Sequence, residues 1–295
     1  MYKVGFDLGG TKIEVIVTDE NYNEVFRKRM PNGKENGYDF VLNRIKDLYT
    51  DACDEINNEP HTVGLGTPGA ISKETGLLKN SNIEMMNGKA FNADLEKLLK
   101  HKVWVENDAN CFALAEAVIG AGKGKDMVFG VILGTGCGGG IVYKGQVIEG
   151  LKEAAGEWGH HTINYNDGAE WRTGKGAIEA YISGTGAQIR YKELFGHDLA
   201  MADIIYNFRK KEESAVKFMD YFLDHLAISI ANLIKFLDPH AIVLGGGLSN
   251  IDEIYELLPN YIAKYGLNND CYTPILKNEY GDSAGVYGAA IVGIE

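Results

Sequence analysis

No stretch of about eighteen uninterrupted apolar residues occurs in the 295-residue chain. The most apolar segment, Leu226 to Gly247, is broken by Asn232, Lys235, Asp238 and His240, which excludes a membrane-spanning helix. Cysteine is scarce: Cys53, Cys111, Cys137 and Cys271 lie far apart and form no CxxC pair. Unpaired thiols in a reducing compartment fit that pattern better than a disulfide framework. Positive charge is short too, with 29 Lys and Arg against 41 Asp and Glu, a net charge of −12 and a pI near 5.1. Such a field argues against a general binder of nucleic acid or membrane surfaces. The opening MYKVGFDLGG enters a strand pattern without a charged n-region, an apolar h-region or a small-residue cleavage site. The expected setting is therefore the cytoplasm. A Walker-type GxxxxGK[ST] loop is also missing.

What is present is an α/β pattern long enough for two lobes and a cleft between them. Lys3 to Asp19 reads as two apolar strands around a glycine turn that carries Asp7 and Gly9-Gly10-Thr11. Phe40, Val41, Ile45, Leu48, Cys53 and Ile56 recur near helical spacing, and His61 to Gly66 resumes a buried strand. A polar loop then runs to Asn87-Gly88. A short helix over Asp94 to Leu99, a strand over Val103 to Val105 and an Ala-rich helix over Cys111 to Ile119 follow. The GAGKGK run at Gly120 to Lys125 is the best linker candidate, so a lobe boundary is expected near residue 120. Met127 to Leu133, the glycine bend Gly134 to Gly140 and Ile141 to Tyr143 then repeat the opening hairpin. Helical patterns at Ile178 to Leu194, Ala202 to Lys211 and Ser214 to Leu237 precede a strand at Ala241 to Leu244, a turn at Gly245-Gly246-Gly247 and a helix from Ile251. The small, apolar end, GDSAGVYGAAIVG, reads as a tightly packed helix that completes the first lobe.

Three glycine-rich bends thus follow apolar strands. Each is either a tight hairpin turn or a cradle in which backbone N–H groups converge on phosphate oxygens. The GCGGG bend sits between two strands instead of opening a helix, which counts against a dinucleotide fingerprint.

Asp7-Leu8-Gly9-Gly10-Thr11-Lys12, Gly134-Thr135-Gly136-Cys137-Gly138-Gly139-Gly140 and Leu244-Gly245-Gly246-Gly247 resemble the two phosphate motifs and the adenosine motif of the ATPase fold shared by hexokinase, actin and the heat-shock chaperones. Glu106-Asn107-Asp108-Ala109-Asn110, Gly156-Glu157-Trp158-Gly159-His160 and Ile178-Glu179-Ala180-Tyr181-Ile182-Ser183-Gly184 narrow the resemblance to the ROK sugar kinases. Thr62 to Asn82, Gly156 to His160 and Ser183 to Gly186 look most like the fructokinase and mannokinase branch, with N-acetylglucosamine kinases next.

The resemblance implies an actin/hexokinase-like (ribonuclease H-like) fold of two lobes, residues 1–120 with a C-terminal helix at 281–295, and residues 121–280. Its implied activity is ATP- and Mg²⁺-dependent phosphorylation of a hexose, at the 6-hydroxyl, with fructose or mannose favoured over glucose or N-acetylglucosamine, by a homodimer. It places Asp7, Gly9, Gly10, Thr11, Lys12, Gly134, Thr135, Gly136, Gly138, Gly245, Gly246 and Gly247 around ATP. It places Gly69, Asn82, Asn107, Asp108, Glu157, His160 and Glu179 around the sugar, with Asp108 as general base. The residues alone also allow Asp108 as a helix N-cap, Asp7 as a turn residue, Glu179 on a surface helix and His160 as a buried neutral imidazole.

One departure stands out. The family usually holds a structural zinc through the His of GExGH and three cysteines in CxCGxxGCxE. Here those cysteine positions are Glu170, Arg172 and Ala177, leaving His160 alone, so no structural zinc is expected. Two other classes share the fold, a helix-turn-helix repressor and a sensor or chaperone-like ATPase. The hairpin starting at Tyr2 and the acidic charge argue against the first. The Asn107-Asp108 pair and the GEWGH segment favour a sugar acceptor over the second.

Overall fold

The computed structural model describes residues 1–167, 170–171, 174–266 and 273–293. Its elements run, in chain order, β1 (Tyr2–Leu8), β2 (Lys12–Thr18), β3 (Glu24–Pro31), α1 (Tyr38–Glu55), β4 (His61–Thr67), β5 (Ala70–Ile71), β6 (Leu78–Lys79), α2 (Phe91–Leu99), β7 (Trp104–Asn107), α3 (Asp108–Val118), β8 (Met127–Leu133), β9 (Cys137–Tyr143) and β10 (Gln146–Val147). They continue with β11 (Glu170–Trp171), β12 (Gly174–Lys175), α4 (Glu179–Ile182), α5 (Gly184–Phe195), α6 (Met201–Arg209), α7 (Glu213–Leu237), β13 (Ala241–Gly245), α8 (Asp252–Tyr265), β14 (Ile275–Lys277) and α9 (Ala284–Val292).

Two mixed sheets share one plan. The first has the order β3-β2-β1-β4-β7 and the second β10-β9-β8-β13-β14. In each, a hairpin pairs antiparallel and its first strand then runs parallel to a later strand, β1 with β4 and β8 with β13. The strands at the centre are almost wholly buried, as parallel strands covered on both faces must be. This is the α/β architecture with mixed sheets that the repeated hairpin implied.

Helix α1 forms because Val41, Leu42, Ile45, Leu48 and Ala52 line one stripe, which it buries on the first sheet. Helix α7 starts where the Glu212 carboxylate accepts from the N–H groups of Ser214 and Ala215. It buries Phe218, Phe222, Leu226 and Ile230 against the second sheet. Helices α3 and α9 differ from these in being buried on nearly every side, because they cross each other between the sheets. Glycine permits that crossing: a Cβ on Gly288 would lie 1.8 Å from the Cys111 carbonyl oxygen. Helix α9 is seated on the first sheet in the same way, with Gly5 against the Val286 carbonyl.

The chain passes between the sheets near residues 119–126 and again near 278–284. The buried Glu116 carboxylate joins both passages, accepting from Ala121 N (3.0 Å), Glu279 N (3.1 Å) and Tyr280 N (3.1 Å). Among the described residues no helix is long and apolar enough to cross a membrane.

Several local readings of the sequence need correction. Strand β3 gives no strand signal in the sequence, because seven of its eight positions carry charge, methionine, proline or exposed valine instead of an alternating apolar face; it is an edge strand. Gly138, Gly139 and Gly140 lie within β9, so the second bend is only Gly134 to Gly136. The helix expected over Ile178 to Leu194 is two helices, interrupted at Ser183, whose hydroxyl accepts from Gly186 N at 2.9 Å.

Candidate active site

Asp108 is the first residue of α3, and the N-cap is Asn107, whose side chain accepts from Ala109 N at 2.9 Å and Asn110 N at 3.4 Å. The cap duty that could have explained Asp108 therefore belongs to its neighbour. Asn107 also donates to the Gly69 carbonyl at 3.0 Å, which fixes the amide next to Asp108. Gly69 has φ +86°, and a Cβ there would sit 2.3 Å from the Lys79 carbonyl oxygen, so the turn after β4 requires glycine. Asn82 is exposed on the loop beyond Ser81, whose backbone N faces Gly69.

The charges of Asp7 and Glu157, from separate parts of the chain, lie near Asp108. Its own carboxyl accepts from Ala109 N at 2.8 Å, yet burial and the Glu157 charge hold it above the usual carboxylate range. Asp7, next to last in β1, is pushed up to about 7 by burial, then by the charges of Asp108 and Glu14, with Arg29 acting the other way. Glu14 faces Asp7 across the hairpin and is itself buried between Arg27 and Arg29. Arg27 reaches on to Ser283 Oγ at 2.5 Å, just before α9. This cluster of Glu14, Arg27 and Arg29 was not foreseen, because the strand that supplies both arginines was not.

The tips of the hairpins are built from backbone. Gly9 N donates to the Lys12 carbonyl at 2.9 Å, and Asn32 braces the turn through the Gly9 and Thr11 carbonyls. Thr11 and Lys12 are left exposed. At the second tip Gly134 N donates to Gly136 O at 3.0 Å. The Gly134 carbonyl accepts from Gly184 N at 2.8 Å and that of Thr135 from Thr185 N at 3.4 Å, so the start of α5 docks on the bend. Gly246, at φ +78°, closes on the same place, where a Cβ would lie 2.5 Å from the Leu133 carbonyl oxygen. Gly134, Thr135, Gly136, Gly246 and Gly247 thus converge. Gly245 does not join them: it is buried, and its open face is filled by the Phe112 ring. Gly138 packs on α3, a Cβ there falling 3.5 Å from the Ala109 methyl.

Glu157 and His160 are half-exposed and 3.8 Å apart. Glu179 behaves differently. It is buried, and its carboxylate accepts from Cys137 N at 2.8 Å and from the Trp171 indole N–H at 2.5 Å. No surface helix carries it. Of the positions at which the family's zinc cysteines would stand, Ala177 is a buried methyl, while the Glu170 side chain and Arg172 fall outside the described residues. Among the described residues no three His, Cys, Asp or Glu side chains are placed to hold a metal ion together.

The model of the ROK family matches residues 3–295. The chain belongs to the ROK family. Within the ROK sugar kinases, an N-acetyl-D-glucosamine kinase of Histophilus somni is 43% identical over 97% of each chain. One of Pasteurella multocida is 42% identical over 98% of each. A ROK hexokinase from Thermus thermophilus superposes with a TM-score of 0.90 at 29% identity, covering 99% of this chain and 98% of its own. A ROK family glucokinase from Streptomyces griseus, solved with glucose and AMPPNP, shares the fold at 24% identity and a TM-score of 0.75, over 99% of each chain. The fructokinase and mannokinase branch that the sequence suggested finds no support in these relatives.

Proposed function

We propose that this ROK sugar kinase transfers the γ-phosphoryl group of ATP to the 6-hydroxyl of N-acetyl-D-glucosamine. The observation that carries the substrate is the similarity, at 38–43% identity over 97% or more of the chain, to kinases all named for that sugar. It replaces the preference for fructose or mannose.

The geometry supports the chemistry. Sugar would lie between Gly69, Asn82 and Asn107 on one side and Glu157, His160 and Glu179 on the other, with its acceptor hydroxyl at Asp108. A carboxyl held above its usual range by burial and by Glu157 is a better proton acceptor than an exposed aspartate. The N–H groups around Gly9, Gly10 and Thr11 and around Gly134, Thr135 and Gly136 would hold phosphate oxygens, assisted by Lys12, while Gly246 and Gly247 would face the adenosine. Gly138 and Gly245 serve from behind, by packing on α3. Asp7 suits a hard divalent cation, because burial and the charges of Asp108 and Glu14 make its ionised form costly until a cation offsets them. Mg²⁺ bound there would offset charge on the transferred phosphoryl group. A cytoplasmic homodimer, free of nucleic acid and membrane, completes this reading.

Release of ADP, measured across N-acetylglucosamine, N-acetylmannosamine, glucose, mannose and fructose, tests it. N-acetylglucosamine should give the highest kcat/KM by at least about tenfold, a gap that a few well-placed hydrogen bonds can supply. A higher value for fructose or mannose would restore the earlier preference.

A further inference from the structure

The zinc that the family resemblance implies does not fit this chain, and the structure shows what occupies its place. Segments 161–164 and 175–178 are laced by backbone bonds: Ile163 N to Gly176 O (2.9 Å), Ile178 N to His161 O (2.8 Å) and a bridge between Thr162 and Ala177. Gly176, at φ +74°, sits so close to Asn164 that a Cβ would fall 2.2 Å from its carbonyl oxygen. Tyr181 adds a bond from its hydroxyl to that same carbonyl at 3.3 Å. The short hairpin β11–β12 pairs Trp171 with Gly174. This folds the Trp171 ring against the core beneath the second sheet and aims its N–H at Glu179 Oε1, 2.5 Å away. Glu179 Oε2 accepts from Cys137 N, just past the tip of the second hairpin.

We infer that Trp171 is a positioning residue standing in for the zinc: its indole N–H anchors the paired strands β11 and β12 on Glu179, and Glu179 passes that anchor to the hairpin that carries Gly134 to Gly136. A hydrogen bond to a buried carboxylate is among the stronger neutral-donor bonds. One such bond with a backbone ladder can hold a loop that relatives tie with a metal. His160, released from any metal, is free to face the sugar with Glu157. The kinetic part of this inference rests on the sugar-kinase reading; the structural part does not.

The test uses the full chain and the variants W171F, E179Q and W171F/E179Q. W171F keeps an aromatic ring but has no donor. Purified wild-type protein should contain no zinc and should keep its activity and melting temperature after dialysis against EDTA. W171F should raise KM for the sugar about tenfold while kcat changes much less. The double variant should be no worse than E179Q alone, because both substitutions break one chain of contacts. Amide exchange over residues 134–140, measured without substrate, should quicken in W171F. One zinc per chain that survives EDTA would overturn the inference, as would additive effects of W171F and E179Q. If the wild type phosphorylates no sugar, the kinase reading fails by itself and exchange still decides the anchor: faster exchange in W171F upholds it, and unchanged exchange overturns it.

Discussion

In the first sheet the next-to-last residue of β1 is Asp7, and the strand across from it presents Glu14. In the second sheet the next-to-last residue of β8 is Ile132, and the strand across from it presents Gly138. The two hairpins hold the same place in the same plan, so the difference lies in side chains. The first gathers charge: two acids, with Arg27 and Arg29 supplied by β3. The second strips its surface to glycine, and α3 fills the space, with Ala109 resting near Gly138 and Gly140. One hairpin therefore supplies electrostatics, and the other sets where Asp108 stands. A repeated backbone has been specialised by what each copy carries, not by a different topology.

Removing the carboxylate that both hairpins serve should have the largest effect. Asp108→Asn keeps the shape and the bond to Ala109 but cannot accept a proton. We expect kcat to fall by about 10³-fold, with the sugar dissociation constant from calorimetry within about threefold of wild type. A variant retaining more than a tenth of wild-type turnover would remove Asp108 from the role of base.

Asp7→Asn comes next and separates the charge of the first hairpin from its fold. With the native Asp7 carboxyl near 7 and an unfolded one near 3.8, the folded state binds the extra proton between those values. Its contribution to stability is present in full at acid pH and is lost as pH rises toward 7. By pH 8 the penalty of ionising Asp7 in its site is on the order of 4 kcal/mol. Nucleotide-free D7N should consequently melt several degrees higher than wild type at pH 8 and match it at pH 4. Its activity at any Mg²⁺ concentration should drop at least about a hundredfold. Wild-type activity should decline as pH falls below about 7, where Asp7 takes up a proton. Equal melting temperatures for the two proteins at pH 8 would show that Asp7 carries no such burden.

The second hairpin is probed by Gly140→Ala. The added Cβ would lie 2.9 Å from the Ala109 carbonyl oxygen and 2.8 Å from Asn110 Oδ1, so α3 must shift. Overpacking of this kind destabilises by about 1–3 kcal/mol. The displacement of Asp108 should lower kcat about tenfold with little change in KM for ATP. Gly138→Ala, whose Cβ finds an ordinary contact at 3.5 Å, should melt within a degree or two of wild type.

This contrast was only half legible in the sequence. Both hairpins, α1 and α7 announced themselves because they bury apolar residues at regular spacing, and Asp7 and Asp108 stood in short motifs read within one turn. Glu14 was equally visible as a letter, but its meaning depends on Arg27 and Arg29 in an edge strand that buries almost nothing. The Trp171–Glu179–Cys137 chain was illegible for another reason. It joins a two-residue strand, a one-turn helix and a hairpin tip 42 positions from Glu179, and neither periodicity nor a motif encodes such a meeting. Gly245 shows the reverse: within a GGG run it resembles part of an adenosine motif, whereas its Cβ position is filled by the Phe112 ring.

The smallest expected effect concerns where the two halves touch beyond the hairpins. Lys73 pairs with Glu149 (2.8 Å), Lys79 with Glu153 (2.9 Å) and Lys152 with Glu74 (2.7 Å). These pairs join the β5–β6 hairpin, which begins one residue after Gly69, to the loop that leads to Glu157. Exposed pairs contribute about 0–1 kcal/mol each and weaken with salt. Glu153, however, has a side chain only 7% exposed, and Lys79 also donates to the Lys152 carbonyl at 2.9 Å. Lys79→Ala should therefore raise KM for the sugar about two- to fourfold at low ionic strength, with kcat unchanged, and the difference should fade by about 0.5 M salt. The charge swap K79E/E153K should recover part of the loss. If K79A raised KM equally at all salt concentrations, the link between the halves would be one of packing, and the charge that matters to this enzyme would lie wholly in the first hairpin.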